Sequence, residues 1–306
     1  MKFFVTGVCG QLGCEVMNEL RKRGDVGIGS DIVPIYDGVK DNSLASTMPY
    51  VQLDITDKEA VEQIIMERKP DAVIHCAAWT NVDMAEEKVE EARAVNVGGT
   101  RNIVEVCEKI NCKMIYISTD YVFDGSGSEP WKPDCKELNP LNVYGQTKLE
   151  GEWAVSNTLE KFFIVRIAGG FGINGNNFVK TMLDIGGKND VARVVNDQIG
   201  TPTYMYDLAG LLIDMAKTEK YGYYHATNTG DYISWYDFAC EIFKQAGYST
   251  KVLPVATEEY GLIKARRPLN SRLDKSKLTD AGFQLLPTWE DALKRYLTEL
   301  KIKEKL

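Results

Sequence analysis

The sequence predicts an α/β protein: a doubly wound parallel sheet with a smaller mixed α/β lobe on its C-terminal side. Three observations carry this. Short β-branched runs alternate with helix-length patterns through the first half, a glycine-rich turn joins the first strand to the first helix, and the alternation loosens after Tyr144. Strands separated by helices of ten or more residues imply βαβ units, hence a parallel sheet covered on both faces with right-handed crossovers.

Taken in order, Lys2–Thr6 reads as a strand, Gln11–Arg23 as a helix and Val26–Ser30 as a strand. Tyr50–Leu53 (strand), Lys58–Lys69 (helix), Ala72–His75 (strand), Glu86–Ile110 (a broken helix) and Lys113–Ser118 (strand) continue the alternation. Beyond Tyr144 come a strand at Phe162–Arg166, a helix at Phe178–Ile185, a short strand at Ala192–Val195 and a helix at Met205–Lys217. The last third mixes strands (Tyr223–Ala226, Lys251–Pro254) with helices (Trp235–Ala246, Trp289–Leu300). The expected division is 1–165 for the sheet domain and 166–306 for a lobe interleaved with the last sheet strands. Gly125–Pro140, rich in Gly, Ser, Pro and charge, reads as an exposed loop.

With 306 residues, 44% hydrophobic and 26% charged, the chain can bury a large core and is not a disordered one. A net charge of −8 without a basic stripe argues against nucleic acid as a partner. No apolar run reaches the ~20 residues that cross a bilayer. Met1–Gly7 breaks into glycine too early for a signal peptide, so a cytoplasmic location is expected. The seven cysteines contain no CxxC pair and only His75 and His225 are present, which argues against zinc and against a Ser-His-Asp hydrolase. The cysteines read as small buried hydrophobes in a reducing compartment.

Thr6-Gly7-Val8-Cys9-Gly10-Gln11-Leu12-Gly13 leaves the first strand and opens the first helix. In a Rossmann-type turn Gly7 permits the bend, Gly10 lets backbone approach a pyrophosphate and Gly13 allows close helix–strand packing. Free N–H groups and the positive helix end then face the anion. Asp31, ending the second strand, is placed to accept both ribose hydroxyls and to repel a 2′-phosphate. With Lys40 as the next basic residue, this favours NADH within an NAD(P)H reading. Asp54 and Ile55 close the third strand where an adenine ring would sit; Thr56 or Asp57 can cap the helix that follows.

Tyr144 and Lys148 are four residues apart, on one helix face. An ammonium stabilises phenolate and lowers the phenol's usual pKa of about 10, which suits acid–base work. Ser118-Thr119-Asp120 ends a strand at the carboxyl edge of the sheet, where ligands of open α/β folds bind. There the Thr119 hydroxyl can polarise a carbonyl while Tyr144 delivers the proton.

With these elements in place, the chain resembles the extended short-chain dehydrogenase/reductases that act on nucleotide sugars. Within them, "STDYVFDG", "PLNVYGQTKLEGE", "NNFVKTML", "NDQIGTPTY" and "RRPLNSRLD" resemble the dTDP-4-dehydrorhamnose reductase family, over nearly the whole chain. The resemblance implies reduction of the 4-keto group of dTDP-4-dehydro-L-rhamnose to dTDP-L-rhamnose. It gives Thr119, Tyr144 and Lys148 the catalytic roles and Asp120 a substrate contact. It also implies that Gly10, Gln11 and Leu12 offer backbone to the pyrophosphate, that Asp31 takes the ribose and Asp54-Ile55 the adenine, and that Ala77, Ala78, Trp79 and Thr80 line the cofactor. One departure stands out: the family commonly carries a substrate-contacting tryptophan in the loop where this chain has Gly169. The implied partner is a dTDP-sugar, bound by a monomer or homodimer, and no metal is predicted.

Arg267 of Arg266-Arg267-Pro268 is a candidate for the nucleotide phosphates, since guanidinium forks match phosphate oxygens. Asn177 is placed to cap the helix Phe178–Ile185, whose N-terminus can also receive diphosphate. Gln198 and Thr201 sit in a Gly/Pro loop and are weaker candidates. His225 reads as a core histidine and Trp153 as packing. Two other functions fit the pattern: a nucleotide-sugar epimerase or dehydratase on the same fold, and a non-catalytic dinucleotide-binding module like the regulatory subunit of methionine adenosyltransferase. Dehydratases usually carry Asp-Glu where this chain has Asp120-Tyr121, which counts against that reaction.

Overall fold

The computed structural model describes residues 1–36, 44–261 and 264–303, with side chains as far as residue 301. Lys40 lies outside the described residues. Seven strands form one parallel sheet: β1 (Lys2–Thr6), β2 (Val26–Asp31), β3 (Tyr50–Gln52), β4 (Ala72–His75), β5 (Lys113–Thr119), β6 (Phe162–Ile167) and β7 (Gly222–His225). Their order is β7-β6-β5-β4-β1-β2-β3. The expected parallel sheet is therefore the observed one, and its last strand comes from the C-terminal half. Strand bounds shift from the expected ones by one residue, as element ends do.

Side-chain alternation along these strands splits the core in two. Phe3 and Val5 face the helices Gln11–Arg23 and Met205–Ala216, meeting Val16, Leu20, Leu208 and Leu212. Phe4, Val73, Met114 and Ile164 face the other way, onto Val61, Ile65, Ile103 and Val106. Burial on both faces explains why the strands read as nearly continuous apolar runs. A third core (Phe171, Val179, Phe238, Phe243, Trp289, Leu293, Tyr296) holds the smaller lobe together. Among the described residues its only longer strand pair, Val191–Val195 with Lys251–Val255, is parallel and separate from the main sheet.

The broken helix at Glu86–Ile110 resolves into Val82–Glu87, Val89–Arg93, a π-helical stretch Ala94–Gly99, and Thr100–Lys109. A π stretch widens the turn, and here it adjoins a crowded spot: a Cβ on Gly99 would lie 2.6 Å from the Ile55 side chain. The 125–140 segment carries no helix and is mostly exposed, but it is pinned: Trp131 stacks on Phe123 at 4.6 Å and pairs with Leu273. Among the described residues no helix is long and apolar enough to cross a membrane.

The strand order reverses between β1 and β4, which creates a crevice at their carboxyl ends. The loops leaving these two strands touch there, because the Thr6 hydroxyl accepts the Ala77 N–H at 3.1 Å.

Candidate active site

Gly7 turns the chain at φ +72°, and a Cβ on it would sit 2.6 Å from the Ala77 nitrogen. A Cβ on Gly13 would sit 2.3 Å from the Gly7 oxygen, so the helix closes on the turn itself. Gly10 is different. It is the helix N-cap in extended backbone (φ −80°, ψ 176°), makes no side-chain cap, and a Cβ there would approach only the Gly7 oxygen, at 3.2 Å. Protein packing does not demand glycine at that position. What glycine leaves there is an open face over a helix end whose first N–H groups lack side-chain acceptors. Asp31 braces the turn by accepting the Cys9 N–H at 2.9 Å, and its other oxygen accepts the Ile32 N–H at 2.8 Å. Asp54 accepts both the Thr56 N–H and hydroxyl, while Asp57 caps the Lys58–Arg68 helix.

These residues line one cavity of about 820 Å³ that runs from the glycine turn across the carboxyl edge of the sheet into the smaller lobe. Gly7, Gly10, Gln11, Leu12, Gly13, Asp31, Asp54 and Ile55 are at one end, Ala77, Ala78, Trp79 and Thr80 along one wall, and Thr119, Asp120, Tyr144 and Lys148 beyond them.

The helix Val143–Ser156 is started by Asn142, whose Oδ1 accepts the Gly145 N–H at 2.8 Å. Gly145 is pressed against β5's exit, where a Cβ would be 2.3 Å from the Tyr121 oxygen. This close seat brings the Tyr144 side chain beside Thr119 on the cavity wall. Burial pushes the Tyr144 phenol up to about 12; the Thr119 hydrogen bond works against that and the Asp120 charge adds to it. Thr119 donates to Asp120 Oδ1 at 3.0 Å. Burial raises the Asp120 carboxyl to about 6, against hydrogen bonds from Ser271 and Thr119. Burial lowers the Lys148 ammonium to about 7, opposed by the charge of Glu152.

Two expectations need correction here. Lys148 was expected to lower the phenol, but its ammonium lies over the ring of Tyr116, 4.0 Å from the centroid, and burial holds Tyr144 above its usual value, with Thr119 working against the rise. Helical spacing put both side chains on one face without fixing where a long lysine stem ends. Trp153 was expected to pack, yet it is 45% exposed, because the helix turns Glu152 inward to meet Arg166.

Arg267 and Asn177 are not among the cavity-lining residues. Arg267 is held by Asp83 (2.9 Å) and by the Ala265 carbonyl (2.8 Å), a pairing across 184 positions that no local pattern announces. Asn177 does cap its helix, but its amide is spent on Gln11 Oε1, the Gly172 carbonyl and the Tyr296 hydroxyl; Gly175 and Asn176 face the cavity instead. His225 is fully buried, edge-on to Phe123 at 5.8 Å, and burial followed by nearby Arg166 keeps it neutral.

Several residues escaped sequence reasoning. Asn96, 1% exposed on the π stretch, accepts the Trp79 N–H (2.8 Å) and donates to the Trp79 carbonyl (3.2 Å) and the Thr147 hydroxyl (3.0 Å). It thereby clamps the cavity wall to the helix that carries Tyr144. An amide inside the apolar run Ala94-Val95-Asn96-Val97 was the signal. Ser118, Gln198 and Thr201, by contrast, were already singled out in the sequence; all three line the cavity, and the hydroxyls of Ser118 and Thr201 are buried without partners among the described residues. Trp235 lines it too, and its ring lies 3.2 Å from where a Cβ on Gly169 (φ +55°) would be. An aromatic wall thus stands beside residue 169, supplied by the start of the helix Trp235–Ala246.

Comparison with known proteins agrees with this architecture. A dTDP-4-dehydrorhamnose reductase from Aggregatibacter actinomycetemcomitans is 38% identical, with 96% of this chain and 97% of that protein covered. The spore coat polysaccharide biosynthesis protein SpsK of Bacillus subtilis is 36% identical, covering 97% of each. The crystal structure of a dTDP-4-dehydrorhamnose reductase from Bacillus anthracis in complex with NADP superposes with a TM-score of 0.87 at 38% identity, over 98% of this chain and all of that one. The family model described as the RmlD substrate binding domain matches residues 1–302, and with so nearly complete a match the chain belongs to that family.

Proposed function

We propose that this protein reduces the 4-keto group of dTDP-4-dehydro-L-rhamnose to give dTDP-L-rhamnose, using a nicotinamide cofactor with NADH preferred. The observation that carries the reading is that Tyr144, Thr119 and Lys148 line the same cavity whose far end is the Gly10 cradle. The cradle fits a dinucleotide, because glycine there serves no packing need and leaves backbone N–H groups open to a pyrophosphate. In this reading residues 1–165 hold the cofactor and 166–306 the nucleotide sugar. Names of the relatives above support the substrate.

When bound, the reduced cofactor supplies a hydride for the C4 carbonyl carbon. Everything else is the work of the chain. The amides of Gly10, Gln11 and Leu12 take the pyrophosphate, Asp31 the ribose hydroxyls, Asp54 and Ile55 the adenine, and Ala77 to Thr80 the wall. Thr119 donates to the carbonyl oxygen and steadies negative charge as it develops there. Tyr144, which burial keeps protonated at neutral pH, gives its proton to that oxygen. Lys148 supplies positive charge nearby, and Asp120, beside Thr119, contacts the sugar. The helix start at Asn177, with Asn176 facing the cavity, is placed for the diphosphate. The protein acts in the cytoplasm as a monomer or homodimer.

The test is coupled turnover. dTDP-glucose is supplied with the upstream dehydratase and epimerase, and loss of dihydronicotinamide absorbance is followed with NADH and NADPH in parallel. Stoichiometric consumption with a higher kcat/KM for NADH is expected. Turnover without net consumption would point to an epimerase, and no turnover of any keto-sugar to a non-catalytic module. The Bacillus anthracis relative was solved with NADP, so the NADH preference is a claim about Asp31 of this chain.

A further inference from the structure

The geometry points to Tyr116 as a positioning residue, whose ring face seats the ammonium of Lys148. Tyr116 lies in the middle of β5 and is fully buried. Its ring centroid is 4.0 Å from Lys148 Nζ, and its hydroxyl donates to the Lys148 carbonyl at 3.2 Å. The ring is held from both sides. Thr100 lies beside the phenol, donates its hydroxyl to the Asn96 carbonyl at 2.7 Å and meets His75 Nε2 at 3.2 Å. Gly151, one turn beyond Lys148, leaves the space that the phenol fills, since a Cβ there would lie 2.2 Å from the hydroxyl oxygen. Residue 151 is glycine because residue 116 is a tyrosine.

The need for such a seat follows from what else faces the ammonium. Lys148 is 4% exposed, and among the described residues its ammonium makes no ion pair and no hydrogen bond. From β4 and its exit loop, His75 and Cys76 face it; burial pushes the first down to about 3 and the second up to about 12, so both are neutral near pH 7. On its own helix, Tyr144 is protonated, and Glu152 gives both oxygens to Arg166 at 2.8 and 2.7 Å. Beyond the charge of Glu152, which acts from within its pair with Arg166, the negative face of the Tyr116 ring is the stabiliser in direct contact, and a desolvated cation–π contact is strongest in such a site. Without it, burial drives the lysine further toward its neutral form.

This inference rests on the assignment of Lys148 to the catalytic set, and its test separates the two. In cofactor-free protein labelled at lysine with carbon-13, the Lys148 ε-methylene signal, assigned with Lys148→Met, is followed against pH. Tyr116→Phe keeps the ring and is expected to titrate within about 0.3 pH unit of the parent. Tyr116→Leu is expected to move the midpoint down by about one unit, a tenfold change in the ratio of deprotonated to protonated lysine. The high-pH limb of kcat should move with it while the KM for the keto-sugar stays. An unmoved midpoint in Tyr116→Leu, or an equal drop in Tyr116→Phe, overturns the seat. Should the leucine variant fail to fold, fluorinated phenylalanines at position 116 weaken the ring face at nearly constant shape. A stepwise fall with each fluorine supports the seat and a flat series refutes it. A shifted midpoint in a protein that turns over no keto-sugar would leave the seat standing and remove the reductase reading.

Discussion

The three glycines of the turn predict two opposite phenotypes. Gly13→Ala places a Cβ 2.3 Å from the Gly7 oxygen, 2.7 Å from its carbonyl carbon and 2.8 Å from Val8 Cα. All three are backbone atoms, so no rotamer relieves the contact. Overpacking of this kind costs about 1–3 kcal/mol, and rigid backbone puts it at the upper end. The gain in helix propensity from Gly to Ala returns about 1 kcal/mol, which leaves a net loss of roughly 1–2 kcal/mol in stability. Gly10→Ala meets only one atom, at 3.2 Å, in backbone that alanine adopts freely. At an N-cap this change costs only about 0.5–1 kcal/mol. The added methyl, however, stands on the cradle itself, so NADH affinity is expected to fall tenfold or more. Urea unfolding measures the first quantity and calorimetric titration with NADH the second. Should Gly10→Ala bind NADH within twofold of the parent, the cradle is misassigned and the glycine triplet is only a packing device.

Other outcomes follow from the same geometry. Tyr144→Phe should reduce kcat by several orders of magnitude with NADH affinity within about twofold; normal turnover would remove Tyr144 as the proton donor. Asp120 is raised in the fold from its usual 3.8 to about 6, so between those values the folded protein holds a proton the unfolded chain has released. Stability therefore falls as pH rises through that window, by roughly 3 kcal/mol at most, and Asp120→Asn should flatten the slope in urea titrations at pH 4 to 6.5. Glu152→Gln leaves Arg166, 1% exposed, without its buried counter-charge and should cost about 3–5 kcal/mol; a loss under 1 kcal/mol in thermal or urea unfolding contradicts the pairing. Arg267→Ala, at a residue that does not line the cavity and is held by Asp83, should change the KM for the dTDP-sugar less than twofold, and a tenfold rise would restore it as a phosphate ligand.

What was legible in the sequence was whatever is local. The seven sheet strands, the glycine turn and the Tyr144–Lys148 helix each depend on residues within a few positions of one another, and periodicity or glycine spacing encodes them. The capping roles of Asp57 and Asn177 are local in the same sense. What was not legible depends on pairs far apart in the chain. Arg267 carried the right chemistry for a phosphate, but Asp83 claims it. Lys148 was placed on the right face, but Tyr116, 32 positions earlier, decides where its charge rests. Asn96 had no motif to belong to, since its partners Trp79 and Thr147 come from two different elements.

The same distinction bears on specificity. The cofactor end of the cavity is built from the exits of four successive strands of one sheet, β1 to β4, so its residues are fixed relative to one another by the regular geometry of that sheet. The sugar end is assembled from β5, the Val143–Ser156 helix and the smaller lobe, where Thr201, Trp235 and Ser271 arrive from separate segments. A glycine at 169 is then not simply a lost aromatic. At φ +55° it holds backbone that larger residues rarely adopt, and Trp235 already occupies the neighbouring space at 3.2 Å. A tryptophan at 169 would strain the loop and crowd Trp235, so substitutions at 169 and 235 should fail to add in their effect on the KM for the keto-sugar, and additive effects would show that the two positions act independently.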